Sequence, residues 1–213
     1  MSNEVSTRPQ SEFTGGAISN FLRLLAVSFV SSITLGLLLP TMICWYQRWI
    51  ARHTFINGRQ LVFDGKGGQL FGKYLLWLLL TIVTFGIFMI WLPVKVLKWM
   101  TKHTHFEGAA ATEDSSCFDG GALGLFGRSL LVGLVATITL GFGIYWGICY
   151  LQRWEASHTV IDGERFAFDG KALQLFGKCI VWFLLTLITL GIYSIWVDVK
   201  IRKWLVSHLF IAE

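Results

Sequence analysis

Four histidines, His53, His103, His158 and His208, fall at matching places along a chain of 213 residues. Imidazoles gathered by a fourfold repeat could hold a metal ion, because neutral histidine is a common ligand for it. Four bases, Arg23, Lys73, Arg128 and Lys178, recur in the same way near the start of apolar stretches. Ionisable groups in such places could line a path for a solute or ion. Each reading has a plainer rival. Every one of the four histidines stands four residues after a tryptophan, where capping a helix end or meeting a headgroup is a natural duty. The bases lie close enough to the segment ends to snorkel to water. The plainer roles carry more weight, and metal ligation stays a candidate for the four histidines alone. His-Glu-x-x-His, phosphate loops, nucleotide fingerprints and nucleophile elbows are all missing from the sequence, so neither an enzyme nor a cofactor is expected.

The elements that position these residues repeat with them. Phe13, Phe63, Phe118 and Phe168 open four units. A glycine follows at Gly15, Gly65, Gly120 and Gly170, and then a Thr-x-Gly step whose glycines are Gly36, Gly86, Gly141 and Gly191. A base-Trp pair closes each unit: Arg48-Trp49, Lys98-Trp99, Arg153-Trp154 and Lys203-Trp204. Recurrence at a fixed period inside one chain is evidence of architecture. The expected divisions are a polar tail 1–12, repeat 1 over 13–62, repeat 2 over 63–117 with an insert at 109–117, repeat 3 over 118–167 and repeat 4 over 168–213. The tail lacks the basic start and apolar run of a removable leader.

Composition points to lipid. The chain is 54% hydrophobic and only 15% charged, against roughly 25% charged in an ordinary soluble domain. Each unit holds one apolar stretch, at 21–50, 74–94, 129–151 and 179–197, and ~20 apolar residues suffice for one helical crossing. Glycine in each Thr-x-Gly step can take a left-handed helix C-terminus or bend a longer helix. Asp198 and Arg202, four apart, can pair on one helix face, and Pro93 predicts a kink. The connectors containing Asn57-Gly58 and Asp162-Gly163 read as short β-hairpins. The four cysteines have no metal or disulfide spacing.

With these residues in place, Phe63-Asp-Gly-Lys, Gln69-Leu-Phe-Gly-Lys73 and Leu80-Thr-Ile-Val-Thr-Phe-Gly-Ile87 followed by Trp91, with their partners in repeat 4, resemble the YjgN family. The resemblance covers nearly all of residues 13–210. It implies a multi-pass protein of the bacterial inner membrane built around a domain of unknown function, and it implies no activity and no functional residues.

The fold expected is an all-α membrane protein, a four-repeat transmembrane helical bundle with interfacial helix ends and short β-hairpin connectors. All connectors are similarly basic, so the positive-inside rule gives no orientation. Two arrangements are open: four alternating spans, or units that each dip in, turn at Thr-x-Gly and return. The four-span arrangement is preferred, since little polar sequence is available to line non-helical backbone at membrane depth. Gly36, Gly86, Gly141, Gly191, Trp49, Trp99, Trp154 and Trp204 are read as structural repeat positions, and Arg48, Lys98, Arg153 and Lys203 as lipid anchors. The expected function is a structural or interaction protein that contacts membrane lipids, anionic ones among them, forms a homo-oligomer or meets a membrane partner. The alternative is an oligomeric channel or transporter for a small solute or ion. Nucleic acid is not an expected partner, because the aromatics beside the bases suit membrane interfaces.

Overall fold

The computed structural model describes residues 10–109 and 115–212. Most of the insert lies outside the described residues. Two four-stranded antiparallel sheets organise the chain. The first runs in the order β1 (Glu12–Phe13), β2 (Thr54–Ile56), β3 (Arg59–Phe63) and β4 (Thr104–Phe106). The second repeats it as β5 (Cys117–Phe118), β6 (Thr159–Ile161), β7 (Glu164–Phe168) and β8 (Leu209–Ile211). The two expected hairpins are present between β2 and β3 and between β6 and β7. Asn57 and Gly58 hold φ of 49° and 78°, and Asp162 and Gly163 hold 50° and 81°. Two successive positive φ values match the twist of paired strands, which is why Asn-Gly and Asp-Gly stand there.

Helices come in pairs, each inserted between two hydrogen-bonded strands. They are α1 (Ala17–Ile33) with α2 (Leu39–Arg52), α3 (Gly67–Val83) with α4 (Leu92–Lys102), α5 (Ala122–Ile138) with α6 (Ile144–Ser157), and α7 (Ala172–Ile188) with α8 (Ser194–Ser207). Because β1 pairs with β2, and β3 with β4, the hairpin between them leaves and rejoins the sheet at one place. The second half behaves identically.

This corrects the expected fold. No helix among the described residues is long and apolar enough to cross a membrane. The outgoing helices have 17 residues each, about 25 Å at 1.5 Å per residue. The apolar stretches looked continuous because the residue that interrupts them is itself apolar. In each Thr-x-Gly step the middle residue, Leu35, Phe85, Leu140 or Leu190, is left-handed at φ 50–51°, and the glycine follows at φ 82–94°. The amide of Gly36 bonds the Ser31 carbonyl at 2.7 Å and that of Leu35 the Ser32 carbonyl at 3.3 Å, a Schellman closure. The threonine completes the turn. Thr84 Oγ1 donates to the Leu80 carbonyl at 2.7 Å and accepts from the Phe88 amide at 3.0 Å, and Thr34, Thr139 and Thr189 do likewise. One hydroxyl thus joins the outgoing helix to the return. The preferred alternating spans are therefore replaced by hairpins that turn back, and the strands expected only as short hairpin connectors pair further into two four-stranded sheets. Pro93 lies in the first turn of α4, where its missing amide is harmless, and starts that helix instead of kinking one.

Successive hairpins touch in a closed ring, α2 against α3, α4 against α5, α6 against α7, and α8 back against α1. They are staggered: a Cβ on Gly67, at the foot of α3, would meet the Thr41 backbone near the start of α2 at 2.8 Å. The main core joins both sheets through Ile56, Leu61, Phe106, Ile161 and Phe166 to helix residues such as Trp77, Leu175 and Trp204.

Candidate functional site

At the foot of every hairpin a strand phenylalanine, a helix tryptophan and a histidine form one cluster. Phe13 meets Trp49 edge-on at 5.8 Å between centroids, Phe63 meets Trp99 at 5.9 Å, Phe118 meets Trp154 at 5.7 Å and Phe168 meets Trp204 at 6.1 Å. A Cβ on Gly15, Gly65, Gly120 or Gly170 would stand 2.3–2.5 Å from the phenylalanine ring, so only glycine lets the chain pass. The tryptophans are buried. Each histidine is the C-cap of its return helix. Its Nδ1 lies 2.8 Å from the tryptophan carbonyl one turn back in all four units. A carbonyl only accepts, so Nδ1 carries the proton and serves a helix-end oxygen. Among the described residues, no group of three or more His, Cys, Asp or Glu side chains could hold a metal ion.

The recurrent bases divide. Arg23 lies 4.6 Å from the Trp45 ring and 5.2 Å from Trp49, Arg128 lies 5.0 Å from Trp154, and Lys73 lies 6.0 Å from Trp99. Arg48 and Arg153 tie neighbouring hairpins together by donating to the carbonyls of Gly65 at 3.0 Å and Gly170 at 3.2 Å. Lys98 and Lys203, their counterparts, instead line surface grooves where the two halves meet.

Those half-to-half seams hold what sequence reading missed. At the seam of α8 with α1, buried Asn20 donates to Asp198 Oδ2 at 2.8 Å and accepts from the Tyr46 hydroxyl at 2.7 Å. Arg202 reaches the same hydroxyl at 3.4 Å. Asp198 and Arg202 thus face the first hairpin instead of pairing on their own helix. Between the sheets, Asp162 accepts from the Phe106 amide at 2.7 Å and from Ser115 Oγ at 3.1 Å, and lies 3.1 Å from His105 Nδ1. Burial pushes its carboxyl upward, but these hydrogen bonds and the His105 charge outweigh it and hold the pKa below the usual value. Ser116 Oγ is 3.4 Å from the same Nδ1. Serine and aspartate on one ring nitrogen cannot relay a proton through the imidazole as a hydrolytic triad does. This cluster is a staple between halves, and its single clue in the sequence was a fifth histidine outside the repeat.

The turns present the most unusual surface. Leu35, Phe85, Leu140 and Leu190 are 92, 97, 89 and 94% exposed, and all four hold the left-handed conformation that large side chains avoid at about 1–2 kcal/mol. The outgoing helices continue this apolar surface through Phe29 and Ile33, Ile82 and Val83, Leu134 and Ile138, and Leu187 and Ile188. Monomeric soluble proteins seldom expose so much contiguous apolar area without using it.

A family model for bacterial proteins of unknown function, DUF898, matches residues 58–112 and 163–213. These segments carry α3–α4 and α7–α8, the hairpins whose motifs prompted the resemblance noted in the sequence. No curated protein and no solved structure matches the chain. On the family match, this chain belongs to the DUF898 family of bacterial proteins of unknown function.

Proposed function

We propose that the protein is a non-enzymatic interaction protein of the bacterial inner membrane that sinks its helical hairpins into the bilayer without crossing it. The observation that carries this reading is the four exposed, left-handed apolar turn residues. Burying a large apolar side chain in hydrocarbon is worth about 1.5–3 kcal/mol, so four together supply strong adhesion. The turns also suit lipid because their backbone groups bond one another, as hydrocarbon demands. Bases such as Arg23 and Lys178 lie toward the feet of the hairpins, at the level where headgroups would meet them. Lipid contact of this kind replaces the multi-pass expectation.

Replacing all four turn residues with asparagine tests it. Asparagine tolerates the left-handed conformation, so the fold should survive while the apolar tips disappear. Vesicle flotation of that variant should fall by about two orders of magnitude or more, with an unchanged circular dichroism spectrum. Unchanged flotation would overturn the reading. Flotation lost by neither chain but self-association lost by the variant would make a second copy the partner of the tips.

A further inference from the structure

Where the last hairpin meets the first strand lies a groove of ≈ 430 Å³ whose walls come from α7, α8 and β1. Lys178, Lys200 and Lys203 line it, against a single carboxylate, Glu12. Trp182 and Trp204 supply an apolar wall, and Ser207 adds a hydroxyl. Lys200 is engaged by the Tyr193 hydroxyl and ring. Among the described residues, Lys178 and Lys203 have no hydrogen-bond, ion-pair or ring partner. That separates Lys178 from its three counterparts, which all lie over a tryptophan of their own hairpin. We propose that this groove binds the phosphodiester headgroup of an anionic phospholipid, with Lys178 and Lys203 on the phosphate and the half-buried Trp182 against the glycerol and first methylenes. The inference rests on the membrane reading above and names the lipid class.

Charge, size and composition agree on that occupant. Ammonium groups from two helices suit a phosphate oxygen cluster, and the volume lies within the usual range for small-ligand sites. The corresponding groove between α4 and α5 has Lys95 and Lys98 and no third base, since Lys73 there sits over Trp99. It is the natural internal control.

The full chain is mixed with vesicles of phosphatidylcholine alone or with phosphatidylglycerol added, and flotation is measured. Wild type should prefer the anionic vesicles, and Lys178→Gln with Lys203→Gln should reduce that preference by about thirtyfold. Lys98→Gln with Lys171→Gln removes the same charge elsewhere and should reduce it only a few-fold. Equal losses would overturn the site in favour of diffuse attraction. Wild type floating equally with both vesicles would overturn the headgroup while leaving membrane insertion intact, and floating with neither would overturn both. Inorganic phosphate is titrated into the protein in detergent as a separate arm. Saturable binding there, lost in the Lys178 and Lys203 variant and accompanied by no vesicle preference, would assign the groove to free phosphate and overturn the lipid.

Discussion

The two halves of the ring meet twice, and the two meetings are built differently. Where α4 meets α5 the contact is oily: Val94 packs on Phe118, Leu125 and Trp154, with Leu97 and Leu151 beside them. Where α8 meets α1, Val199 packs on Phe13 and Trp49 in the same way, but the surrounding positions are polar. An offset of 105 residues, as from His53 to His158, relates the halves. By that offset Asn20, Tyr46, Asp198 and Arg202 correspond to Leu125, Leu151, Pro93 and Leu97. One seam is closed by area and the other by direction. The chain itself explains the difference. The α4–α5 seam joins neighbours in sequence, so little loop entropy opposes it. The α8–α1 seam joins Asn20 to Asp198 across 178 residues, and hydrogen bonds there select one register where an apolar face would let the last hairpin slide.

That contrast can be broken from either side. The largest effect is expected from Leu125→Asn, which buries an amide in the cluster of Val94, Phe118 and Trp154 and forfeits a packed side chain. It should destabilise by about 3–4 kcal/mol in denaturant unfolding. Asn20→Leu makes the polar seam resemble the oily one but strands Asp198 and the Tyr46 hydroxyl. A loss of about 2 kcal/mol is expected, and adding Asp198→Leu and Tyr46→Phe should restore much of it. If Asn20→Leu were harmless alone, the polar seam would hold nothing that area does not.

The third bond between halves, at Asp162, sharpens the comparison with pH. Its folded pKa is lowered, so it contributes stability at neutral pH that is lost as pH falls below the ordinary aspartate value of about 4 and through the lowered one. Asp162→Asn keeps a residue suited to positive φ, and should cost about 1–2 kcal/mol at neutral pH. Unfolding measured along an acid series should show a flatter dependence for the variant. The smallest effect belongs to Arg59 and Glu164, 2.7 Å apart across the sheets but 45% and 36% exposed. A double-mutant cycle should return roughly 0.5 kcal/mol, shrinking with salt.

Local devices were legible in the sequence, and long-range ones were not. Asn57-Gly58 and Asp162-Gly163 announce their hairpins because a two-residue turn depends on those residues alone. Thr-x-Gly marked the end of each outgoing helix, yet the Leu or Phe before the glycine is left-handed as well, and because it is apolar the stretch read as continuous and long enough to span. The strands β1, β4, β5 and β8 have two or three residues each and exist through pairing, which periodicity cannot display. The recurrent Phe, Gly, Trp and His were visible as a set, and their meeting at the hairpin foot gives the repetition its physical cause. Asn20, Tyr46 and Asp198 broke no pattern that a single sequence displays. Their partners lie a whole ring away.

The central claim is that the hairpin turns reside in hydrocarbon while both feet stay with the sheets. Single cysteines at Leu35, Phe85, Leu140 and Leu190, and at Asn57 and Ala212 for reference, can carry a fluorophore in a background lacking the four native cysteines. In vesicles, spin labels on the acyl chains should quench all four turn sites, and a water-soluble quencher should reach only Asn57 and Ala212. Turn sites quenched from water as readily as Asn57 would contradict the account.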